Sequence, residues 1–592
     1  MQLISNARSA SANPEFLSEF KRRCLGVIWG VGIASALINV LYLAGSFFML
    51  QVYDRVIPGR SIPSLIALSI LVAMLYCFQG AFDIARGRIL ARIGGIFDEV
   101  LARRIFAATI QIPLRIKPEG DGLQLLRDFD QIKSFLSTSG PAILLDLPWI
   151  PIYIAICFMF HPLIGIMTIA GGVVLAALSV AANVTTRRSA ERAHNLNNQR
   201  MATVQAAQRN AEVVRALGMG ETLANRWLLR NMEYQRQSQQ NADGANTFAA
   251  ISKVFRLALQ SAVLAVGATL VIENEASGGV IIASSILTAR ALAPVEQAIA
   301  NSRSYASALQ AWRRLKNILE ILAEPSFPMF LPTPRRSLAV EAIACGPPGQ
   351  ESPLISNVSF VVRAGSAVGV VGPSASGKST LARALTGVWP ILHGKVRLDG
   401  AALDQWDEAA LGRHIGYLPQ DIELFSGTVA DNIARFQPDA QSHDIIAAAK
   451  AAGVHELILR LPNGYDTEIG LGGCMLSAGQ RQRIGMARAL YCDPFLVVLD
   501  EPNSNLDGEG EAAVTTAVAA IRRRGGIAIV IAHRPSALAA TDYILMMRDG
   551  RMHLFGRKED VINTIRTQTM QAGAVEHAAT LSVTDSKEES GS

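Results

Sequence analysis

The clearest chemistry in the sequence lies in nine consecutive residues, Gly372-Pro373-Ser374-Ala375-Ser376-Gly377-Lys378-Ser379-Thr380, which follow the apolar run Ala367-Val368-Gly369-Val370-Val371 and precede a helix-forming segment. Glycines let successive backbone N–H groups turn inward on anionic oxygens, and the N-terminus of the following helix adds a favourable dipole. A loop of this composition between a strand and a helix cradles the phosphates of a nucleoside triphosphate. Lys378 is placed to reach the β- and γ-phosphates, and the Ser379 hydroxyl to ligate Mg2+. A chance glycine-rich turn is the weaker reading, because strand, loop and helix stand in the required order.

Farther along, Phe495-Leu496-Val497-Val498-Leu499-Asp500-Glu501 reads as a strand that ends in two carboxylates. An unbroken apolar run suits a parallel strand covered on both faces. Asp500 would hold the Mg2+ shell, directly or through water. Glu501, one residue farther, would polarise the attacking water. An acidic pair after an apolar strand is a weak signal alone, and it becomes strong when a phosphate-binding loop precedes it.

These residues must be carried by two different kinds of structure. The chain has 592 residues, half of them hydrophobic, and a mean hydropathy of +0.27, too apolar for an ordinary soluble protein. The apolar residues concentrate before residue 300, in six stretches near 24–50, 62–82, 141–160, 163–184, 248–272 and 279–300. Each approaches the ~20 residues needed to cross a bilayer. His161-Pro162 alone separates the third from the fourth, and the acidic segment Glu273-Asn274-Glu275-Ala276-Ser277-Gly278 separates the fifth from the sixth. The two long connections carry the arginines, from Arg86 to Lys133 and from Arg187 to Arg230. The positive-inside rule puts those connections and both termini in the cytoplasm. Residues 84–112 and 185–241 read as helices running out of the membrane, with turns at 117–122 and at Gly218-Met219-Gly220 that are expected to rest on the second domain.

A proline-rich stretch, 324–334, marks a boundary, beyond which strand-like and helical runs alternate as in an α/β domain. The expected organisation is a cytoplasmic segment over 1–23, a transmembrane domain over 24–322, a linker over 323–337, a nucleotide-binding domain over 338–570 and a disordered tail over 571–592. No cleavable signal peptide is expected, because the first apolar run is long enough to span. The net charge of +6 comes without a basic stripe interleaved with aromatics, so nucleic acid is not an expected partner. The six cysteines, Cys24, Cys77, Cys157, Cys345, Cys474 and Cys492, have no zinc or redox spacing and read as packing.

The segment Leu476-Ser477-Ala478-Gly479-Gln480-Arg481-Gln482-Arg483 resembles the signature of the ATP-binding-cassette family, with Ala478 in place of a usual glycine. Around it, Gln420 in Tyr417-Leu418-Pro419-Gln420, Asp507 in Ser504-Asn505-Leu506-Asp507, and His533 resemble the family's Q-loop, D-loop and switch histidine. The resemblance implies that Gln420 and His533 act with Glu501 in hydrolysis, and that Gln420 joins Ser379 and Asp500 around Mg2+. It implies that Ser477, Ala478, Gly479, Gln480 and Asp507 contact ATP held by a second cassette. One set of motifs and six spans then make half a transporter, working as a dimer, most simply a homodimer. The implied fold is an all-α six-helix exporter domain of the type I ABC exporter kind, followed by an α/β phosphate-loop domain. One departure stands out. The family places an aromatic upstream of the phosphate loop to stack on adenine, and Ala342-Ile343-Ala344-Cys345-Gly346-Pro347-Pro348-Gly349 has none. Pro347 or Cys345 is left to lie against the base.

A closer resemblance lies in Asp128-Phe129-Asp130 through Leu136, in Gly140-Pro141 with Asp146-Leu147-Pro148-Trp149-Ile150-Pro151, and in Asn210 through Met219. The cassette segments Val388-Trp389-Pro390 and Gly416 through Phe425 point the same way. These are similar to type I protein-secretion exporters, the PrtD-type protease and repeat-in-toxin exporters of Gram-negative bacteria. The resemblance implies an inner-membrane ATPase working with a periplasmic membrane-fusion adaptor and a TolC-type outer-membrane channel. The implied cargo is an unfolded protein with a C-terminal signal, and no N-terminal peptidase-like domain is expected. A lipid or small-molecule exporter on the same fold is the alternative. Inside the sixth span, Arg290 costs at least about 2.5–3.5 kcal/mol on insertion scales, so it should not face lipid. It either pairs with a buried acid such as Asp146, lines a polypeptide conduit, or snorkels to the interface.

Overall fold

The computed structural model describes residues 15–116, 123–138, 140–322, 331–350, 352–470, 473, 475–532, 534–564 and 566–567. The expected turn at 117–122, most of the linker, Cys474, His533 and the tail lie outside the described residues. The chain divides into two compact units, one helical and one built on β-sheets.

Among the described residues of the helical unit, six helices are long and apolar enough to cross a membrane, matching the six apolar stretches. Three of them run well beyond a bilayer: Ile62–Arg115 has 54 residues, Pro162–Arg209 has 48 and Gly220–Ile272 has 53. At 1.5 Å per residue each exceeds about 70 Å, against a hydrocarbon core of about 30 Å. The arginine-rich connections are therefore continuations of the spans themselves. Gly218, at φ +63°, breaks the chain between Ala211–Ala216 and Gly220–Ile272. The fourth and fifth spans approach closely at Gly171, where a Cβ would lie 2.1 Å from Leu259 Cδ2; small residues permit such contacts between membrane helices. Buried Tyr153, Cys157, Ile164, Val263 and Leu287 form the core between spans three to six, and the Thr168 and Thr288 hydroxyls meet at 3.0 Å inside it.

The first and third spans are interrupted. The first is interrupted at Tyr42, between Glu15–Leu41 and Leu43–Gln51, and ends in a π-helical turn, Val52–Val56. The third changes to a 3-10 turn at Leu147–Trp149, between Gly140–Asp146 and Ile150–Phe160, where Pro148 and Pro151 withhold N–H donors. At that break Asp146 accepts from Ser35 Oγ and Asn39 Nδ2, both at 2.7 Å, and from Arg86 Nη1 at 3.3 Å. Arg86 also bonds Asp83 at 2.8 Å, and the Tyr153 hydroxyl donates to the Asn39 carbonyl at 2.8 Å. Of the three places open to Arg290, the pair with Asp146 is removed: Arg86 takes the carboxylate, and the Arg290 guanidinium lies over the Tyr42 ring at 4.1 Å. Arg86 reaches Asp146 from the second span, Ile62–Arg115, a pairing across distant segments that the sequence did not suggest.

Beyond the membrane stretches, Phe97, Leu101, Phe129, Ile132 and Leu315 form a separate buried core. Asp128, almost fully buried, is held by Arg314 through two bonds of 2.8 and 2.7 Å. Part of the secretion-type segment 128–136 is thus a packing element, with Phe129 stacked on Phe97.

Among the described residues of the second unit, ten strands form two sheets. They are β1 (Ser337–Cys345), β2 (Ile355–Arg363), β3 (Ala367–Val371), β4 (Ile391–Leu398), β5 (Ala401–Ala402), β6 (Ile415–Leu418), β7 (Leu496–Asp500), β8 (Ile527–Ile531), β9 (Tyr543–Arg548) and β10 (Arg551–Arg557). The smaller sheet is antiparallel, in the order β2-β1-β4-β5; the larger has the order β10-β9-β3-β8-β7-β6. From β9 to β6 the larger sheet is parallel. Its inner strands β7 and β8 are buried along their whole length, as their unbroken apolar runs require.

Candidate active site

Parallel pairing sets the C-terminal ends of β3, β8, β7 and β6 along one edge of the sheet, where such sheets bind ligands. The residues of the phosphate-binding loop leave β3 at that edge. Gly377 is the cap of the eight-residue helix Lys378–Leu385, at φ +94°, and a Cβ on it would meet Ile355 Cγ2 at 2.4 Å. A Cβ on Gly372 would meet the Met547 carbonyl oxygen at 2.2 Å. Both positions exclude a side chain by close approach as well as by backbone conformation. Lys378 is buried and folds back so that Nζ bonds the carbonyls of Gly372 and Pro373 at 2.9 and 2.8 Å. Burial pushes its ammonium pKa down, while Glu501 and Asp500 pull it up. Pro373, Ser374 and Ala375 form the exposed crest of the loop, Ser376 and Thr380 are buried, and Ser379 lies half-buried in the first helical turn.

Asp500 ends β7 almost fully buried. Burial pushes its carboxyl up, and a hydrogen bond from Ser379 opposes that shift. Its Oδ1 has no hydrogen-bond partner among the described residues. An unsatisfied buried carboxylate oxygen beside a hydroxyl is a donor set for a hard divalent cation such as Mg2+. Glu501 follows in a left-handed conformation, φ +52°, with its N–H on the Ile531 carbonyl at 3.0 Å. The turn anchors Glu501 to the end of β8. Gln420 is exposed two residues past β6, whose Leu418 pairs with Leu499. Thus Gln420, Asp500 and Glu501 leave adjacent strands at the same edge.

The signature residues begin the helix Ala478–Leu490. Ser477 is its N-cap: its Oγ accepts from the Gln480 N–H at 3.3 Å and its own N–H bonds Gln480 Oε1 at 2.8 Å, a reciprocal box that orders the turn. Gly479 is close enough to the Asn505 carbonyl that a Cβ would sit 2.8 Å from it. Asp507 caps the helix Gly508–Arg523 and pairs with Arg483. The signature and the 504–507 segment are therefore one packed substructure. Ala478, in place of glycine, is accommodated as an ordinary first helical residue.

Several residues that tie these parts together were not singled out for a role in the sequence. Buried Gln482 donates to the carbonyls of Glu501 and Pro502 at 3.2 and 3.1 Å and accepts from Ser504 Oγ at 3.3 Å. Arg435 bonds four carbonyls: Arg488 at 3.0 Å, Ala489 at 3.2 Å, Gly412 at 2.6 Å and Ile415 at 3.3 Å. It thereby joins the C-terminus of the signature helix to the start of β6, the strand that leads to Gln420. Arg488 donates to the Glu423 carbonyl at 3.1 Å. Asn432, fully buried, bonds both the N–H and the carbonyl of Phe425 at 2.9 Å. Only their place in or beside the motifs could have flagged them, since most of their partners are backbone atoms, which leave no residue-type signal in the sequence.

Of the two residues left for the base, Cys345 is removed. It is fully buried in the sheet, its Sγ lies 3.6 Å from the Pro390 carbonyl, and burial pushes its thiol up to about 11. Pro347 stays half-exposed in the turn between β1 and β2.

Residues 355–504 match the family model described as "ABC transporter", and residues 28–294 match "ABC transporter transmembrane region". The chain is 60% identical over 544 residues to the type I secretion system ATP-binding protein PrsD of Rhizobium meliloti (strain 1021), covering 92% of this chain and 94% of that one. It is 30% identical over 560 residues to the cyclolysin secretion/processing ATP-binding protein CyaB of Bordetella pertussis, covering 92% and 78%. In fold it is similar to a bacterial Atm1-family ABC exporter with ATP bound, with a TM-score of 0.80, 24% identity and coverage of 93% and 98%. Six membrane-spanning helices and an ATP-binding domain whose phosphate loop and acidic strand end share one sheet edge lead to one conclusion: the chain belongs to the ABC transporter family, as a multi-pass membrane ATPase.

Proposed function

We propose that the chain is the ATP-hydrolysing inner-membrane component of a type I secretion system, exporting an unfolded protein with a C-terminal signal. The observation that carries this reading is the 60% identity to a type I secretion ATP-binding protein, which runs through 92% of the chain and so through both units. The arginine-rich helical continuations and both termini lie in the cytoplasm by the positive-inside rule. A periplasmic adaptor and a TolC-type outer-membrane channel complete the path. Two copies work together, because each chain has one phosphate loop and one signature helix.

In this reading Lys378 and the N–H groups from Gly372 to Thr380 hold the triphosphate at the helix N-terminus. Ser379, Asp500 and Gln420 are the groups that would hold Mg2+, which when bound neutralises charge on the phosphates. Glu501 orients a water and takes its proton as the water oxygen bonds to the γ-phosphorus and the bond to the ADP oxygen breaks. His533 and Gln420 complete the hydrolytic set. Ser477, Ala478, Gly479, Gln480 and Asp507 contact the nucleotide held by the partner cassette, and Gln482 joins that surface to the backbone after Glu501.

The test is export and ATP turnover in the same variants. Glu501→Gln should bind ATP normally, turn it over at least two orders of magnitude more slowly, and export no signal-bearing protein in cells supplying adaptor and channel. Lys378→Ala should instead lose nucleotide affinity. Normal turnover in Glu501→Gln would remove Glu501 from that role. ATP turnover stimulated by lipid, with no export in the presence of adaptor and channel, would favour a lipid exporter.

A further inference from the structure

Arg290 lies twelve residues into the sixth span, Gly278–Ala300, which is about 18 Å from its start at 1.5 Å per residue, well within a core of about 30 Å. Neighbours on the same helix, among them Ser284, Leu287, Thr288, Ala291 and Leu292, are buried against other spans, whereas Arg290 is exposed. One face of its guanidinium covers the Tyr42 ring at 4.1 Å. No carboxylate pairs with it among the described residues. Of the two acids near Tyr42, Asp146 is bound by Arg86, Ser35 and Asn39, and Asp83 by Arg86.

A permanent cation at this depth with no counter-ion is not tolerated against lipid tails, so it borders a hydrated space. Stacking on Tyr42 fixes the plane of the guanidinium and offsets part of its desolvation. The ring covers a face only, which leaves the N–H edge open. That edge is a rigid fork matched to two oxygens of a carboxylate or phosphate. Tyr42 itself belongs to the first span, between Glu15–Leu41 and Leu43–Gln51, so the fork is presented from two spans at once.

We propose that Arg290, backed by Tyr42, is a carboxylate-binding point on the wall of the translocation path, taking the acidic side chains and terminal carboxylate of the extended polypeptide in transit. This rests on the polypeptide-exporter reading. A lipid phosphate offers the same fork a similar pair of oxygens, and the experiment separates the two sources.

The full chain, reconstituted in bilayer discs of neutral phosphatidylcholine, would be titrated with an unstructured glutamate-rich peptide and with its glutamine-for-glutamate counterpart. ATP turnover is the readout. Within each variant the quantity compared is the ratio of the two half-effect concentrations, which cancels any change in basal rate. Wild type should prefer the acidic peptide, Arg290→Gln should reduce that preference about tenfold, and Arg290→Lys should fall between them. Equal preference in wild type and Arg290→Gln would overturn the proposal while leaving polypeptide export standing. No response of wild type to either peptide would sink both. A turnover change that needs Arg290 and follows added anionic lipid, with no discrimination between peptides, assigns the fork to lipid and also overturns it. As a check that avoids turnover, Arg290→Cys should react with aqueous thiol reagents, with the acidic peptide protecting it. Reaction with lipid-phase reagents alone contradicts a place on the path.

Discussion

Replacing Arg86 should damage the membrane unit more than replacing Asp146, although the two form one ion pair. Arg86 touches both Asp146 (3.3 Å) and Asp83 (2.8 Å), and the side chains of Arg86 and Asp146 are 14% and 15% exposed. Breaking a buried pair by removing one partner costs about 3–5 kcal/mol, because the remaining charge is left uncompensated. Arg86→Leu leaves two carboxylates without a cation. Ser35 and Asn39 still donate to Asp146, which tempers the loss to about 3 kcal/mol. Asp146→Leu leaves Arg86 on Asp83, which is half-exposed, so about 1–2 kcal/mol is expected. The double variant should recover roughly 1 kcal/mol or more relative to the sum. The assay is reversible unfolding of the full chain against denaturing detergent, as a double-mutant cycle, with Arg290→Leu and Asp146→Leu as the control cycle. Coupling in the control cycle and none between Arg86 and Asp146 would refute the network. Equal losses for the two single variants would refute the role assigned to Asp83.

Mixing Ser477→Arg chains with Lys378→Ala chains should leave at most one intact composite ATP site per dimer; full turnover in either variant alone contradicts the shared site. Gly377→Ala puts a Cβ 2.4 Å from Ile355 Cγ2 at φ +94° and should cost about 2 kcal/mol or more, read as nucleotide affinity weakened at least tenfold in a binding titration. Arg435→Ala uncovers four carbonyls and frees the signature helix from β6, so turnover should fall more than nucleotide affinity does. Arg435→Lys should recover part of it, and unchanged turnover in Arg435→Ala would show that the helix holds its place without that anchor.

Much of this architecture was legible because its signals are local. The six spans are runs of apolar residues whose length must match a bilayer, and helical patterning carries them into the arginine-rich segments as far as the glycine-containing turns at 117–122 and 218–220. The phosphate loop is equally local, since glycine, lysine and hydroxyl follow one another along nine residues. The strand ending in Asp500 and Glu501 needs only its unbroken apolar run to be placed in a parallel sheet. Reading the signature needed resemblance, because nothing in Ser477-Ala478-Gly479-Gln480 by itself indicates a nucleotide contact.

What the sequence determined by itself is therefore the kind of each element and the chemistry at its end, because apolar length, glycine placement and charge act over a few residues. The tertiary structure decided the partners. It gave Asp146 to Arg86 rather than Arg290, turned Cys345 into the sheet and away from any base, and made Asp128 the seat of Arg314. It also placed Arg435 across the signature helix and β6. Each of these depends on which side chain reaches which atom across helices or strands far apart in sequence, and a few ångströms of reach or one turn of helix changes the answer. Hydrogen bonds and ion pairs are short-ranged and directional, so such pairings are fixed only when packing has brought the distant segments together.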